Sequence, residues 1–341
     1  MSEISRSNQD SDDDLVPDEH PFAQYVRIIG RGKRARRDFS REEAAQSMAM
    51  ILAGNASPEQ VGAWLMLLRV KEETSEELAG FVDACRNWLA QHHTAMPEAD
   101  IDWPSYAGKK KHHPWYVLAA LLLARNGVRI FMHSGPEHTP GRLYSDEVLQ
   151  ALGVPVASSM HEAQQQLQQD NFTCVPMDVL CPPLADLLRL RFQLGLRSPI
   201  NTLSRCINPV RAPLNLQSVF HPSYSSLQQG AAQLLGDHGL LLFKGDGGEV
   251  EIRPDAETKL YGLRNGEPFE DRWPATLPRQ VAEQKPDAQA LKKLWQDDDN
   301  EYGRAAVEET VAVVLYALGK AASHELAQAM AKQWWQDRAP L

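Results

Sequence analysis

The spacing of apolar residues changes near residue 95, and the change divides the chain into two parts. Before it, three segments begin with a polar capping residue that is followed three positions later by Glu or Gln. These capping pairs are Ser40 with Glu43, Ser57 with Gln60, and Thr74 with Glu77. Such pairs are typical of helix starts, and the apolar residues after them recur at intervals of three and four. The pattern predicts a small helical domain over residues 21–95.

After residue 95, short apolar runs alternate with longer helical patterns. Residues 101–103 and 128–132 are predicted strands, and the apolar run 115–126 between them is a predicted helix, as in a βαβ unit. The further predicted elements are a helix at 146–152, strands at 174–176 and 240–243, and closing helices at 308–319 and 324–335. The segment 183–194 has helical leucine spacing and is expected to rejoin the helical domain. The chain is therefore predicted to belong to the α/β class.

Charge is distributed unevenly along this acidic chain, whose formal net charge is −10. The first 20 residues are polar and carry a net charge of −6, because they hold seven acids against Arg6. They cannot bury enough apolar surface to fold, so this tail is predicted to be disordered. Seven cations fall between Arg27 and Arg41 against the single acid Asp38. An acidic protein with such a local basic patch can still bind phosphates.

Composition argues against several classes of protein. The longest apolar run, residues 115–124, is shorter than the ~20 residues that span a bilayer, and the acidic start does not resemble a signal peptide. The four cysteines have no CxxC pair and no histidines at zinc-like spacing, so they are expected to be buried thiols. We expect a cytoplasmic protein without membrane contact.

Several runs of letters resemble the N-terminal domain of the anthranilate phosphoribosyltransferase and nucleoside phosphorylase superfamily. They are Gly-Arg-Gly at 30–32, Arg-Asp-Phe-Ser-Arg-Glu-Glu-Ala at 37–44, Ile-Leu-Ala-Gly at 51–54, Gly-Ala-Trp-Leu-Met at 62–66 and Leu-Arg-Val-Lys-Glu-Glu-Thr at 68–74. Further matches are Leu-Gly-Leu-Arg-Ser at 194–198, Asn-Pro at 208–209 and Lys-Gly-Asp-Gly-Gly at 244–248. The resemblance covers nearly the whole chain after residue 21.

The resemblance implies an all-helical N-terminal domain hinged to a larger α/β domain with a central mixed sheet. The helical domain, 21–95, would be completed by about 182–198, and the α/β domain would take 100–181 and 199–341. It also implies a homodimer formed through the helical domain. The family's reaction displaces pyrophosphate from phosphoribosyl pyrophosphate. It requires a glycine-rich phosphate loop, an acidic pair for magnesium and a basic loop around the substrate.

This chain departs from the family at each of those three places. The glycine-rich loop is replaced by Ser105, Tyr106, Ala107 and Gly108, so that one glycine remains and a tyrosine fills space the phosphate would need. The basic loop becomes 132–137, which has lost its lysine and gained Glu137. The acidic pair falls on Val250-Glu251, which leaves Glu251 as a vestigial ligand. Arg191 keeps the position at which the family holds the second substrate's carboxylate.

The departures resemble the YbiB-type branch of anthranilate phosphoribosyltransferase homologues, which is associated with nucleic-acid binding. We therefore expect no catalytic residue, no cofactor, and binding of DNA or RNA through phosphate contacts with little sequence preference. The candidate contacts are Arg31, Lys33, Arg34, Arg36, Arg37, Lys109, Lys110, Lys111, Arg142 and Arg205. The basic run 109–113 would replace the phosphate loop in front of a helix N-terminus that still points outward.

Other interpretations remain open at this point. Both basic runs are also compatible with an ordinary solvated surface, or with docking of a protein partner. An altered phosphoribosyltransferase or phosphorylase is the enzymatic alternative, and only this one calls for magnesium. Trp103, Tyr106 and Trp115 flank the lysines and would stack on bases, although Trp115 is more readily explained by core packing. His133 is expected to make a buried hydrogen bond.

Overall fold

The computed structural model describes residues 19–32, 34–137, 139–280 and 285–340. The predicted tail up to residue 18 lies outside the described residues, and so does Lys33. Glu19, near the end of that tail, forms an ion pair with Arg27. The end of the tail is thereby attached to the first helix of the folded part.

The N-terminal part is helical, as predicted. Its helices are α1 (Ala23–Gly30), α2 (Arg41–Leu52), α3 (Pro58–Lys71) and α4 (Ser75–His92). All three predicted capping boxes are present at the starts of α2, α3 and α4. Helices α2 and α4 pack closely because Gly80 has no side chain: a Cβ there would lie 2.2 Å from the carbonyl oxygen of Arg41. Each helix start is thus encoded by residues close together in sequence. The close approach of α2 and α4, in contrast, requires the glycine at position 80.

The remaining part alternates strands and helices. The strands are β1 (Ile101–Ser105), β2 (Ile130–Ser134), β3 (Phe172–Pro176), β4 (Leu214–Ser218), β5 (Gly239–Phe243), β6 (Thr258–Arg264) and β7 (Glu267–Trp273). The helices are α5 (Trp115–Arg125), α6 (Ser145–Leu152), α7 (Met160–Asp170), α8 (Met177–Leu180), α9 (Pro182–Arg189), α10 (Arg191–Leu194), α11 (Ile200–Cys206), α12 (Tyr224–Leu234), α13 (Ala288–Asp297), α14 (Glu301–Ala317) and α15 (His324–Gln336). The predicted fold class is confirmed.

The seven strands form one mixed sheet in the order β3-β2-β1-β4-β5-β6-β7. Strands β1 to β5 are parallel to one another, β6 is antiparallel to β5, and β7 is antiparallel to β6. The chain runs outward from β1 to β3 and then returns to place β4 on the other side of β1. In open α/β sheets, ligands bind where the strand order reverses, at the carboxyl ends of the strands. The loops after β1, β4 and β5 occupy that position here.

Two large apolar cores and a smaller one hold most of the buried apolar side chains, and the second large core joins the helical domain to one side of the sheet. Helix α5 is buried along its whole length against the sheet and α14, which explains why its sequence is apolar on every face. Helices α8, α9 and α11 contribute apolar side chains to the same core as α2, α3 and α4. The predicted helix at 183–194 is wrong in one respect, because it divides at Leu190 into α9 and α10. The second core therefore joins segments that are far apart in sequence.

All four cysteines are buried free thiols, as expected. None of the described helices is long and apolar enough to cross a membrane.

Candidate anion-binding site

The loop after β1 is held from inside the protein by the carboxylate of Glu249. One oxygen of Glu249 accepts hydrogen bonds from the backbone N–H groups of Ala107 and Gly108, both at 2.6 Å, and the other accepts from the Ser105 hydroxyl at 3.0 Å. Glu249 is fully buried. Backbone N–H groups at such a turn are the donors that bind phosphate in nucleotide-binding loops. Here a carboxylate of the chain itself takes the place of that phosphate.

The side chain of Lys109 lies at the same site and contacts two other carboxylates. Its ammonium pairs with Asp246 and lies 2.6 Å from Glu251 Oε1, and His112 Nδ1 lies 2.9 Å from the same Asp246 carboxylate. Burial would lower the pKa of Lys109, but the attraction of Glu251 and Asp246 outweighs it and raises the pKa above its usual value. Burial also disfavours the charged form of Asp246, yet Lys109 and His112 hold its pKa well below the usual range. We call Lys109, Asp246, Glu249 and Glu251 the internal charge cluster.

The N-terminus of α5 also binds a carboxylate of this cluster. Glu251 Oε2 accepts the N–H of Tyr116 at 2.8 Å, at the first turn of the helix. A carboxylate is favoured there because the helix dipole is positive at its N-terminus. Burial raises the pKa of Glu251 to about 7, against the opposing effect of Lys109. The expectation that this helix N-terminus points outward to solvent is therefore wrong: it faces Glu251.

These contacts leave little room for a magnesium ion. Mg²⁺ requires octahedral oxygen geometry at about 2.0–2.1 Å and is usually anchored by one or two carboxylates together with waters and substrate phosphates. The oxygens of Glu251 are already bound to Lys109 and Tyr116, while those of Glu249 are bound to the loop. Within the described ranges, no group of three or more His, Cys, Asp or Glu residues is arranged to hold a metal. The residues present do not fit the ion.

Tyr106, also in the loop after β1, is buried against His133 and Gly135. Its ring is buried, and its hydroxyl lies 2.5 Å from Nδ1 of His133, the buried hydrogen bond expected for that histidine. A Cβ on Gly135 would come within 2.4 Å of the Tyr106 ring, so the glycine is needed for the ring to fit. Tyr106 thus fills the space between the loop and β2. Trp103 is buried as well, so the expectation that Trp103 and Tyr106 stack on bases is wrong, whereas Trp115 packs in the core as favoured.

The predicted basic residues fall into different environments. Lys109 is fully buried, which corrects its assignment as a surface contact: its charge is used inside the protein. Lys110 and Lys111, which follow directly, are exposed. Arg31, Arg34, Arg36 and Arg37 are exposed on the helical domain, although Arg37 forms a bidentate ion pair with Glu43 at 2.6 and 2.7 Å.

Arg142 and Arg205 lie deeper than a surface contact would. Arg142 Nη1 donates to the carbonyl oxygens of Ala107 and Gly108 at 3.0 and 2.8 Å, so its side chain supports the loop. Arg205 is half-buried, donates to the carbonyl of Asn201, and lies over the Tyr106 ring at 6.0 Å. Both side chains lie inside the cleft and not on the outer surface, and their contact with nucleic acid stays a prediction.

Four arginines converge beside the loop, at the cleft between the domains. Arg191, the predicted second-substrate position, donates to the hydroxyl of Thr139. Burial, together with the charges of Arg191, Arg142 and Arg205, lowers the pKa of Arg197 to about 10. We call these four residues the arginine cluster. Sequence reasoning missed Arg197, since it saw only a motif match at 194–198.

Further basic and aromatic residues lie at the cleft and beside Lys110 and Lys111. In the helical domain, Arg69 extends toward the α/β domain, where its Nη1 lies 3.5 Å from the Tyr224 hydroxyl. Phe220, in the loop after β4, is 54% exposed and lines both the cleft beside Arg69 and a larger cavity that contains Lys110 and Lys111. Phe220, Lys244 and Tyr261 were not predicted as site residues. Only Lys244 carried a signal, as the first residue of the glycine-rich turn.

Comparisons with known proteins find matches to both domains. Residues 27–88 match the glycosyl transferase family, helical bundle domain, and residues 117–337 match the glycosyl transferase family, a/b domain. A protein of Escherichia coli K12 called "Uncharacterized protein YbiB" is 30% identical over 238 residues, which are 68% of this chain and 73% of that protein. An anthranilate phosphoribosyltransferase of a Geobacillus species is 27% identical over 305 residues, 86% of this chain and 88% of the enzyme.

A solved structure extends the likeness to the fold of nearly the whole chain. The anthranilate phosphoribosyltransferase of Saccharomyces cerevisiae, solved in complex with PRPP and Mg, superposes with a TM-score of 0.74. The match covers 92% of this chain and 93% of the yeast chain, at 14% sequence identity. At this identity the likeness concerns the fold alone.

Proposed function

Because the chain belongs to the glycosyl transferase family that combines a helical bundle domain with an α/β domain, we propose that it uses this fold to bind nucleic acid with little sequence preference. The observation that carries the proposal is the internal charge cluster. Carboxylates of the chain occupy the donors that would bind pyrophosphate, and an ammonium occupies the acids that would bind magnesium. The groups that would bind pyrophosphate and magnesium in the reaction of an anthranilate phosphoribosyltransferase therefore already have partners within this chain.

The exposed cations support phosphate contacts in place of that reaction. Arg34 and Arg36 on the helical domain, and Lys110 and Lys111 on the α/β domain, are exposed and form no ion pair within the described ranges. Each phosphate that such a side chain neutralises releases counterions, which strengthens binding regardless of base sequence. Phe220 is largely exposed and lines the cavity that contains Lys110 and Lys111, so it offers a ring on which a base can stack. This arrangement favours sequence-tolerant binding.

The proposal includes a homodimer formed through the helical domain. A dimer would present the exposed cations twice and raise the apparent affinity for a long strand through effective concentration. Sedimentation analysis of the full chain measures its oligomeric state directly.

We expect no magnesium-dependent binding of phosphoribosyl pyrophosphate and no anthranilate phosphoribosyltransferase activity. The reason is that the loop N–H groups and the acids already have partners inside the protein. Calorimetric titration with phosphoribosyl pyrophosphate and Mg²⁺ measures this, with an active anthranilate phosphoribosyltransferase as the positive control. A micromolar dissociation constant for this chain would contradict the proposal.

We expect the double variants R34A/R36A and K110A/K111A to weaken binding of every DNA or RNA sequence by about the same factor. Point-charge contacts to phosphate carry no base information. The slope of log affinity against log salt concentration should fall by roughly 0.7–0.9 for each phosphate that the variant no longer neutralises. Fluorescence anisotropy with labelled single- and double-stranded oligonucleotides, recorded over a salt series, measures both effects.

The matched control for these variants is K292A/K332A, which removes two exposed lysines from α13 and α15. This variant should keep the affinity and the salt slope of the wild type. If R34A/R36A and K110A/K111A also keep the affinity and the salt slope of the wild type, the cations named here are ordinary surface residues. Nucleic-acid binding through them is then excluded.

The arginine cluster favours a second candidate function, a transferase with an altered anionic substrate. Arg142, Arg191, Arg197 and Arg205 leave positive charge at the cleft between the domains, and the lowered pKa of Arg197 reflects their mutual repulsion as well as burial. An anionic acceptor would relieve this repulsion. Turnover of a phosphorylated sugar with an anionic acceptor, abolished by Arg197→Ala, would favour this candidate over the first.

A further inference from the structure

A second basic feature adjoins the arginine cluster, with which it shares Arg142. It is a cavity of about 740 Å³, a size typical of small-molecule sites. Its walls come from the loop after β1, the loop after β4, the glycine-rich turn after β5 and strand β6. We call it the lysine cavity.

The lining of the lysine cavity is strongly basic in a chain whose net charge is −10. Eight lysines and arginines line it against two acids, Asp246 and Glu257. Both acids are already paired, Asp246 with Lys109 and Glu257 with Arg272 at 2.6 Å. Other cations of the lining are also neutralised, since Arg253 forms a bidentate pair with Asp255 and Lys259 lies 3.6 Å from Glu270.

Five cations of the lining remain once these pairs are set aside. Four of them are exposed and form no ion pair or side-chain hydrogen bond within the described part of the chain: Lys110, Lys111, Lys244 and Arg279. Arg142 donates only to carbonyl oxygens, and its Nε is buried without a partner there. Like charges gathered in a concave site focus a positive potential that attracts anions. Several such charges suit a ligand with more than one phosphate.

Two aromatic side chains of the cavity, Phe220 and Tyr261, favour a ligand that also carries a planar ring. Phe220 stands at the cavity with 54% of its surface exposed, although large apolar side chains are normally covered. Tyr261 on β6 lines the same cavity, and Lys259 lies 5.2 Å from the centre of its ring. Exposed rings beside cations are suited to stack on the planar base of a nucleotide.

We infer that the lysine cavity binds a free nucleoside polyphosphate. Its phosphates lie among Lys110, Lys111, Lys244 and Arg142, and its base lies against Phe220 or Tyr261. This inference goes beyond nucleic-acid binding and does not require it: Lys110, Lys111 and Phe220 serve both proposals, whereas Lys244 and Tyr261 belong to the cavity alone. The ligand class follows from several unpaired cations and two aromatic rings, of which Phe220 is exposed and Tyr261 half-buried, in one cavity.

The test is calorimetric titration of the full chain with ATP, adenosine and inorganic tripolyphosphate at low salt. We expect ATP to bind one site per chain, tripolyphosphate to bind more weakly, and adenosine to show no measurable binding. Lys244→Ala should weaken ATP binding by about tenfold, the usual effect of losing a hydrogen bond to a charged group. Phe220→Ala should weaken binding of ATP but not of tripolyphosphate, because only ATP carries a base.

The controls separate this inference from nucleic-acid binding. Lys292→Ala, which removes an exposed lysine outside the cavity, should bind ATP like the wild type, and so should R34A/R36A. Absence of ATP binding, or unchanged binding in Lys244→Ala, would overturn the inference. Equal affinity for ATP and tripolyphosphate would overturn the nucleotide part. If only an oligonucleotide that carries a 5′-triphosphate displaces ATP, the cavity binds the 5′ ends of nucleic-acid strands. That result would overturn the assignment of a free nucleotide. Loss of oligonucleotide binding in R34A/R36A with ATP binding retained would show that the two sites act separately.

Discussion

Replacing Lys109 with alanine should lower the free energy of unfolding by about 3–5 kcal/mol, the usual cost of removing one partner from a buried ion pair. The ammonium is fully buried and lies between Glu251 and Asp246. Without it, two neighbouring carboxylates would face each other in a dry site. Chemical denaturation of the full chain, followed by tryptophan fluorescence and by circular dichroism, measures the destabilisation.

The destabilisation should depend on pH in a defined direction. The pKa of Glu251 in the folded protein, about 7, is already above the usual carboxyl value, and removing Lys109 should raise it further. A raised folded pKa costs stability above the unfolded pKa, and this cost disappears as pH falls and the carboxyl is protonated in both states. The variant should therefore approach the wild type as the pH is lowered from about 8 to about 5.

Lys110→Ala is the matched control, because it removes the neighbouring exposed lysine and should change stability by no more than about 0.5 kcal/mol. Adding Glu251→Gln to the Lys109→Ala variant should recover part of the stability, since it removes one of the stranded charges. A destabilisation below about 1 kcal/mol that does not vary with pH would show that the acids find other partners.

Replacing Arg86 with alanine should destabilise the protein by a similar amount, about 3–5 kcal/mol, for a different structural reason. Arg86 lies on α4, and its Nε donates to the carbonyl of Ile207 at 2.6 Å while Nη2 lies 3.0 and 3.3 Å from the Asp237 carboxylate. Asp237 follows α12 and precedes β5, so this buried pair connects the helical domain to the sheet. Burial raises the pKa of Asp237 in spite of Arg86, and the carboxylate would be stranded without it.

Scanning calorimetry measures this second effect. The Arg86→Ala variant should unfold at lower temperature, and its helical and α/β domains should separate into two transitions because the charged link between them is removed. Arg86→Lys keeps the charge but not the forked geometry, and should fall between the alanine variant and the wild type. Lys292→Ala should leave the transition unchanged. A single, unshifted transition in Arg86→Ala would show that apolar packing alone couples the domains.

Much of the fold could be predicted because its signals are local. Each capping box joins residues three positions apart, and the apolar run of α5 lies within a single helix. The resemblance to the phosphoribosyltransferase superfamily is confirmed for the same reason, since it rested on such local motifs. The association with nucleic-acid binding stays a prediction.

The internal charge cluster could not be predicted, because its contacts join distant parts of the chain. Lys109 meets Asp246 and Glu251 across 137 and 142 positions. A run of three lysines followed by two histidines looks uniformly exposed, and the inward turn of its first residue depends on acids that follow β5. The sequence indicated Glu251 but not Glu249, because the resemblance supplied only one acidic pair and not the loop's new partner.

The internal charge cluster also restricts how this protein can change over evolutionary time. A substitution that introduced an acid at position 109 would add a carboxylate beside Asp246 and Glu251 and remove the ammonium that pairs with both. A single change that removed Glu249 would leave the loop N–H groups buried without a partner. Substitutions at these positions are therefore coupled, and the cluster tolerates paired, compensating changes better than single ones.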